Sequence, residues 1–100
     1  MVEIQEVPYT KAPIELLLEA DPSVEKIEAY LPGSRCFVAM LQGKPVGAYV
    51  VQRIAPAVYE LMSIAVSPEY QRKGIGSKLL KHVVTTVRDM GARRLEVGTG

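Results

Sequence analysis

The sequence holds very few of the residue types that build disulfides and metal centres. Cys36 is its single cysteine and His82 its single histidine, and it contains no tryptophan. One cysteine cannot form an intramolecular disulfide, and one Cys with one His cannot complete a Cys/His metal site. We therefore expect no bound metal, a Cys36 that acts as a small buried hydrophobe, and a reducing, cytoplasmic location.

Long apolar runs and an excess of one charge are also missing. The apolar runs have the length of strands, as in Cys36–Leu41, and none approaches the ~20 residues that a membrane helix needs. The segment Met1–Glu6 carries acids where an export signal would begin with basic residues. Twelve basic and eleven acidic residues leave a net charge of +1, and the aromatic residues are few. These features argue against a membrane protein and against a nucleic-acid partner.

The chain has the size and the hydrophobic content of one compact domain, which we place at residues 1–100. Its charges are unevenly distributed. Residues 1–33 hold seven acidic and two basic side chains, whereas residues 34–100 hold ten basic and four acidic ones. Solvation of the surface accounts for such a distribution by itself, so a functional meaning requires a motif beside it.

Hydrophobic periodicity and turn residues predict the order of the elements. Strands are expected over residues 2–7, 35–41, 46–54, 58–66 and 94–97, and helices over residues 10–20, 22–31 and 77–90. The order βααβββαβ indicates an α/β fold of the α+β type. Its mixed sheet begins with antiparallel strands and ends with a parallel pair joined by a right-handed crossover.

The segment Gln71–Ser77 stands between a predicted strand and the last helix. A turn containing Gly74 and Gly76 before a helix exposes backbone N–H groups at the positive end of the helix dipole, which is a site for an anion. The alternative is that both glycines only shape a tight turn. A dinucleotide fingerprint fails because Leu79 stands where a third small residue is needed, and Gly76-Ser77-Lys78 does not match a Walker A loop.

The pattern Gln71-x-x-Gly74-x-Gly76, following the strand Leu61–Val66, resembles the acyl-CoA-binding motif of the GNAT acetyltransferase superfamily. The order of elements over the whole chain is similar to that family as well. The resemblance implies transfer of an acetyl group from acetyl-CoA directly to a primary amine. It also implies backbone contacts to pantetheine at Ile64, Ala65 and Val66 and to the diphosphate at Gln71, Arg72, Lys73, Gly74, Ile75, Gly76 and Ser77. The outer phosphate would be reached by Arg72, Lys73, Lys78 or Lys81.

Glu60 is the candidate general base. It lies eleven residues before Gln71. In this it resembles the histone-acetylating branch of the family, whose members have a base glutamate at that spacing. The alternative is an exposed glutamate near the end of a strand. His82 is expected to be solvated, and Tyr30 and Tyr49 are expected to be packing residues, although either could line an acceptor pocket.

The sequence departs from the family's pattern at its end, since complete members continue with a further helix and strands. We therefore expect a fold truncated after its fifth strand, and a homodimer formed through the exposed edge of the sheet. An acyl-CoA-binding but catalytically incomplete module remains an alternative, as does an interaction domain whose glycine loop is only structural. For an active enzyme, the acids of residues 15–28 are expected to attract a cationic acceptor.

Overall fold

The computed structural model describes residues 1–97. The tripeptide at 98–100, on which the expectation of a truncated fold rests, lies outside the described residues. The strands are β1 (Glu3–Val7), β2 (Arg35–Leu41), β3 (Lys44–Ala55), β4 (Val58–Val66) and β5 (Arg94–Val97). The α-helices are α1 (Ile14–Leu17), α2 (Val24–Tyr30) and α3 (Ile75–Asp89), and short 3₁₀ turns cover Tyr9–Lys11, Leu31–Gly33 and Pro68–Tyr70.

The five strands form one sheet in the order β1-β2-β3-β4-β5. The pairs β1–β2, β2–β3 and β3–β4 are antiparallel, and the pair β4–β5 is parallel. The predicted fold class is therefore confirmed. The β2–β3 hairpin turns at Gln42 and Gly43, whose φ angles of 51° and 77° are both left-handed, as a two-residue hairpin turn requires.

The predicted helix over residues 10–20 is wrong. Pro13 restricts the residue before it to extended backbone, and Ala12 accordingly has φ −61° and ψ 139°. Only Ile14–Leu17 is α-helical. The next helix starts later than expected, because Ser23 is its N-cap and the Ser23 hydroxyl accepts a hydrogen bond from the Lys26 N–H at 3.2 Å.

The sheet separates two apolar cores. Helix α3 covers one face, and α1 and α2 cover the other. Cys36 belongs to the second core and is fully buried, as expected, and its burial raises the pKa of the thiol to about 11. The α3 core contains Phe37, Ala39, Val46, Tyr49, Val51, Leu61, Ile75, Leu79, Val83 and Val87; the other contains Leu17, Ile27, Leu31, Cys36, Val38, Ala48 and Val50.

Helix α3 lies close to β3 because Gly47 has no side chain. A Cβ at this position would stand 3.0 Å from Leu79 Cδ1 and 3.1 Å from Ile75 Cγ2. The helix begins at Ile75, two residues earlier than predicted, so that Gly76, Ser77 and Lys78 belong to its first turn.

The expectation of a solvated His82 is wrong. His82 is half-buried, and its Nδ1 lies 2.7 Å from the Tyr49 hydroxyl and 3.1 Å from Thr86 Oγ1. A buried hydroxyl needs a hydrogen-bond partner, and the fully buried Tyr49 finds it on α3. Tyr49 is thus a packing residue, as expected.

Candidate functional site

Within residues 1–97, one edge of β4 is open along half of its length. On this side β4 pairs with β5 only from Val58 to Leu61. From Met62 to Val66 it has no strand partner there among residues 1–97, while its other edge pairs with β3 as far as Val66. The backbone N–H and C=O groups of this stretch can therefore bind an extended chain that adds to the sheet like a further strand.

A β-bulge lies where this open edge begins. Val50 pairs with Ser63 and Val51 pairs with Leu61, so Met62 has no partner on β3. A bulge bends its strand and redirects the side chains that follow it. The bulge therefore lies beside Leu61 and Val97, the last described pair of β4 and β5.

The turn that follows β4 presents free backbone donors. Arg72 and Gly74 have left-handed φ angles of 65° and 81°. Gly74 is the N-cap of α3 and provides no side-chain cap, and the hydrogen bond from the Lys78 N–H to the Gly74 carbonyl closes the first turn of the helix. The N–H groups of residues 75–77 consequently lack intrahelical partners and point out of the helix. This arrangement fits a diphosphate group.

The space in front of this turn is open. A Cβ built on Gly74 would meet no atom within 4 Å, and one on Gly76 would meet only Val66 Cγ2, at 3.9 Å. Ile75 is different, because its side chain is buried in the α3 core. Only the backbone of Ile75 can face a ligand.

The polar side chains of the turn have distinct surroundings. Gln71 Nε2 donates a hydrogen bond to the Val66 carbonyl at 3.2 Å, which ties the turn to the end of β4. Lys73 Nζ lies 5.7 Å from the centre of the Tyr70 ring. Arg72, Lys73, Ser77, Lys78 and Lys81 are all exposed. Gln71 therefore anchors the turn to β4, and the exposed basic side chains surround the turn with positive charge.

Glu60 lies near the other end of β4 and is half-buried. The sequence allowed either a buried general base or an exposed glutamate, and the burial observed is intermediate between the two. The register places it beside Gln52 of β3 and Glu96 of β5. Glu96 Oε2 in turn lies 3.0 Å from an Arg94 nitrogen. Glu96 could not be selected from the sequence, because its position beside Glu60 depends on the parallel register of the last two strands.

A cleft of about 640 Å³ lies between the α1–α2 connection and β4. No local sequence pattern indicates this cleft, because its two walls are distant in the chain. Its lining includes Asp21, Lys26 and Ser63, with Ser63 on the strand just after the bulge. Glu15 and Glu19 line a different groove, together with Lys44.

A sequence model described as the acetyltransferase (GNAT) family matches residues 1–100. The chain belongs to the GNAT acetyltransferase family. This GNAT chain is 35% identical over 86 residues to an uncharacterized N-acetyltransferase, YvbK, of Bacillus subtilis, a match that covers 86% of the chain and 56% of the relative. The chain thus spans little more than half the length of this curated relative.

Solved structures agree with this assignment. An IAA acetyltransferase from Bacillus cereus superposes with a TM-score of 0.96 at 43% identity, over 100% of this GNAT chain and 67% of that protein. A GNAT family acetyltransferase from Elizabethkingia anophelis with acetyl-CoA bound gives 0.93 at 34% identity, over 99% and 65%. GNAT acetyltransferases use acetyl-CoA. None of the helices within residues 1–97 is long and apolar enough to cross a membrane.

Proposed function

We propose that the protein containing this chain transfers an acetyl group from acetyl-CoA directly to a primary amine, and that this chain provides the half of the active site that binds acetyl-CoA. One observation carries the proposal. The open edge of β4 runs directly into the turn whose N–H groups have no intrahelical partner, so a strand-like site and an anion site adjoin each other. A ligand with amides at one end and a diphosphate at the other fits this order of groups.

In this proposal the backbone of Ile64, Ala65 and Val66 binds the pantetheine amides. These three residues lie within the part of β4 that has no partner in β5 as far as the structure describes it, to Val97. Because backbone groups do this work, the side chains of Ile64 and Val66 remain free to pack against the α3 core.

The diphosphate then lies on the turn from Gln71 to Ser77. Backbone N–H groups of Gly74, Ile75, Gly76 and Ser77 donate to it, with Gln71 holding the turn against β4. Arg72, Lys73 and Lys78 are exposed and long enough to balance the remaining phosphate charge. Lys81, one turn along α3, is a more distant candidate for the same role.

Bound acetyl-CoA supplies an activated thioester carbonyl. During transfer the amine nitrogen forms a bond to that carbonyl carbon, the carbon–sulfur bond breaks, and the sulfur leaves as a thiolate that takes up a proton. We assign Glu60 to remove the proton of the amine, directly or through water, because it lies on the strand that holds the thioester. Positioning of the two reactants contributes the larger part of the rate.

Calorimetric titration of the chain with acetyl-CoA, using adenosine diphosphate as the comparison ligand, tests the proposal. Much tighter binding of acetyl-CoA is expected, because only acetyl-CoA carries the pantetheine that β4 binds. Acetyl-CoA binding without transfer to any amine would identify an acyl-CoA-binding but catalytically incomplete module. Equal affinity for both ligands, or binding of neither by a folded chain, would leave the glycine turn as a structural feature of an interaction domain.

We also propose that two copies associate through the edge of β5. Val97 in this strand is 64% exposed, and an exposed strand edge is a template for pairing with another chain. Light scattering at high protein concentration tests this proposal, and a homogeneous 11.0 kDa monomer would contradict it.

A cytoplasmic location is proposed from the single cysteine, since reduced thiols are kept in that compartment. Fractionation of the source cells, followed by detection of the native chain, tests it.

A further inference from the structure

One aromatic ring beside the glycine turn contacts two lysines. Lys73 Nζ lies 5.7 Å from the centre of the Tyr70 ring, and Lys44 Nζ lies 5.5 Å from it. Lys73 belongs to the turn, whereas Lys44 is the first residue of β3 and is distant in the sequence. An ammonium group within about 6 Å of the centre of an aromatic ring is attracted to its face. The Tyr70 ring therefore restricts two side chains that would otherwise move freely.

A backbone turn brings Lys73 back over Tyr70. Gln71 has φ −69° and ψ 156°, and Arg72 has φ 65°. These angles are close to those of a type II turn, whose first and fourth residues approach each other. The first residue here is Tyr70 and the fourth is Lys73. Type II turns favour glycine at the third position, where this chain has Arg72, so the turn forms at a conformational cost.

Only one of the two lysines has its charge balanced. Lys44 Nζ lies 3.8 Å from Glu69 Oε2, and Glu15 and Glu19 line the same groove as Lys44. Lys73 forms no ion pair among residues 1–97, and it stands in the glycine turn itself. Its positive charge is therefore unbalanced and is held close to the backbone donors of the turn.

The other basic side chains around the turn have no such support. No ion pair or cation–π contact within residues 1–97 involves Arg72, Lys78 or Lys81. A long side chain loses rotamer freedom when it binds a phosphate, and this loss opposes binding. Lys73 has lost part of that freedom beforehand, because the ring holds it. A preorganised group binds its ligand more tightly than a mobile one.

We infer that Tyr70 is a positioning residue, which holds Lys73 where this lysine binds the outer phosphate of acetyl-CoA, the 3′-phosphate on the ribose. The inference rests on the proposed function and deepens it, because it selects one of the four basic residues considered for that phosphate. An ammonium group has three N–H donors, so Lys73 can bind phosphate oxygens while it remains over the ring. The chain should therefore prefer coenzyme A to dephospho-coenzyme A, which lacks the 3′-phosphate.

Calorimetric affinities for coenzyme A and for dephospho-coenzyme A test the inference. We expect the wild type to bind coenzyme A about tenfold more tightly, the effect of one charge-assisted hydrogen bond. Lys73→Gln should lose most of this preference. Both affinities are measured on the same variant, so a change in its folded fraction lowers both alike and leaves their ratio unchanged.

Two substitutions of Tyr70 separate the ring from the packing of the side chain. Tyr70 packs against the α3 core, and Tyr70→Leu keeps an apolar side chain there but removes the ring. The preference for coenzyme A should fall about threefold in Tyr70→Leu, the usual size of an exposed cation–π contact. Tyr70→Phe should retain it. The ε-CH₂ proton signals of Lys73 should move toward those of a free lysine in Tyr70→Leu only, because the ring current is lost there.

Three further variants are the controls. Arg72→Gly removes a charge and places at this position a residue that adopts left-handed φ freely. Lys78→Gln removes a charge from the first turn of α3, and Lys44→Gln removes the lysine that Glu69 already balances. Each of the three should retain most of the preference for coenzyme A, even where the affinity for both coenzymes falls.

Each outcome supports or overturns the inference. Loss of the preference in Lys73→Gln and its reduction in Tyr70→Leu, with retention in Tyr70→Phe, support it. Equal binding of both coenzymes by the wild type overturns it and leaves the proposed function in place. A preference that Lys73→Gln keeps, or that Tyr70→Leu and Tyr70→Phe reduce equally, also overturns it. A chain that binds neither coenzyme overturns the proposed function together with this inference.

Discussion

The hydroxyl of Tyr49 lies 2.7 Å from Nδ1 of His82, inside the contact between β3 and α3. Thr86 Oγ1 lies 3.3 Å from the same hydroxyl and 3.1 Å from the same nitrogen, so the three side chains form a closed polar group. The Phe37 ring stacks on Tyr49 with a centroid separation of 4.8 Å and covers the group from the sheet side. Burial raises the pKa of Tyr49 to about 12 and lowers the pKa of His82. The arrangement therefore favours a neutral histidine that accepts a hydrogen bond from the phenol.

Tyr49→Phe should destabilise the chain by about 1 kcal/mol, the usual net contribution of one hydrogen bond. The ring and its stacking on Phe37 are kept, so the loss reports on the hydroxyl. Urea unfolding monitored by circular dichroism measures it. Tyr9→Phe, at an exposed position, is the control and should change the free energy of unfolding very little. Equal effects of the two substitutions would contradict the role given to the Tyr49 hydroxyl.

His82 should make the stability depend on pH below its ordinary pKa of 6.5. The folded chain holds this histidine neutral while the unfolded chain protonates it, so the unfolded state binds more protons and stability falls as the pH drops from 6.5 through the lowered pKa. The Glu6 carboxylate behaves differently. Its pKa is lowered by the hydrogen bond from Arg35, so its contribution persists until the pH falls below 4.5.

Unfolding free energies at about pH 7.5 and about pH 5.5 separate these two groups. The wild type should be less stable at the lower pH, and His82→Gln, which cannot titrate, should lose most of that difference. An undiminished difference in His82→Gln would show that other groups cause it.

Gly76→Ala and Gly47→Ala should have opposite effects on stability. A Cβ at Gly76 has only an ordinary contact at 3.9 Å, and alanine favours the helix by up to about 1 kcal/mol over glycine. A Cβ at Gly47 meets Leu79 and Ile75 at 3.0 and 3.1 Å, and such overpacking costs about 1–3 kcal/mol.

The Gly76 variant also tests the diphosphate site. Acetyl-CoA affinity should fall about tenfold or more in Gly76→Ala, because the new methyl group would stand where we propose that the diphosphate approaches the backbone. Calorimetry on this stable variant makes the measurement. Unchanged affinity would mean that the diphosphate does not approach residue 76.

Glu60→Gln should lower kcat about 100-fold or more if this carboxylate removes the proton of the amine. Glu96→Gln is the matched control on the adjacent strand, since the register places the two carboxylates side by side. We expect the smaller effect from Glu96→Gln. Unchanged turnover of Glu60→Gln at pH 7 and below would remove Glu60 from the mechanism, and a larger effect at Glu96 would transfer the role to that residue.

Cys36 should react slowly with iodoacetamide in the folded chain. Its side chain is fully buried, and a pKa of about 11 leaves little thiolate near neutral pH. Labelling followed by mass spectrometry should show rapid modification only in denaturant. Rapid labelling of the folded chain would mean that β2 opens often.

Local patterns in the sequence predicted some of the strands and helices correctly. The bounds of β4 and β5 agree with the prediction, because alternating or continuous apolar runs ended by turn residues determine strands locally. The first helix was mispredicted although its apolar spacing was helical, since the effect of Pro13 on Ala12 outweighed the pattern. The glycine turn was recognised because φ angles such as that of Gly74 depend on residue type.

By itself, the sequence determined the order of the elements, the family and the segment assigned to the diphosphate, since each of these depends on neighbouring residues. Tertiary structure decided which distant residues meet. The pairing of Glu60 with Glu96 and the contact of Tyr49 with His82 both arise from strand register and helix packing. These depend on how whole surfaces fit together, and a register shift of one residue would turn each strand side chain to the opposite face of the sheet.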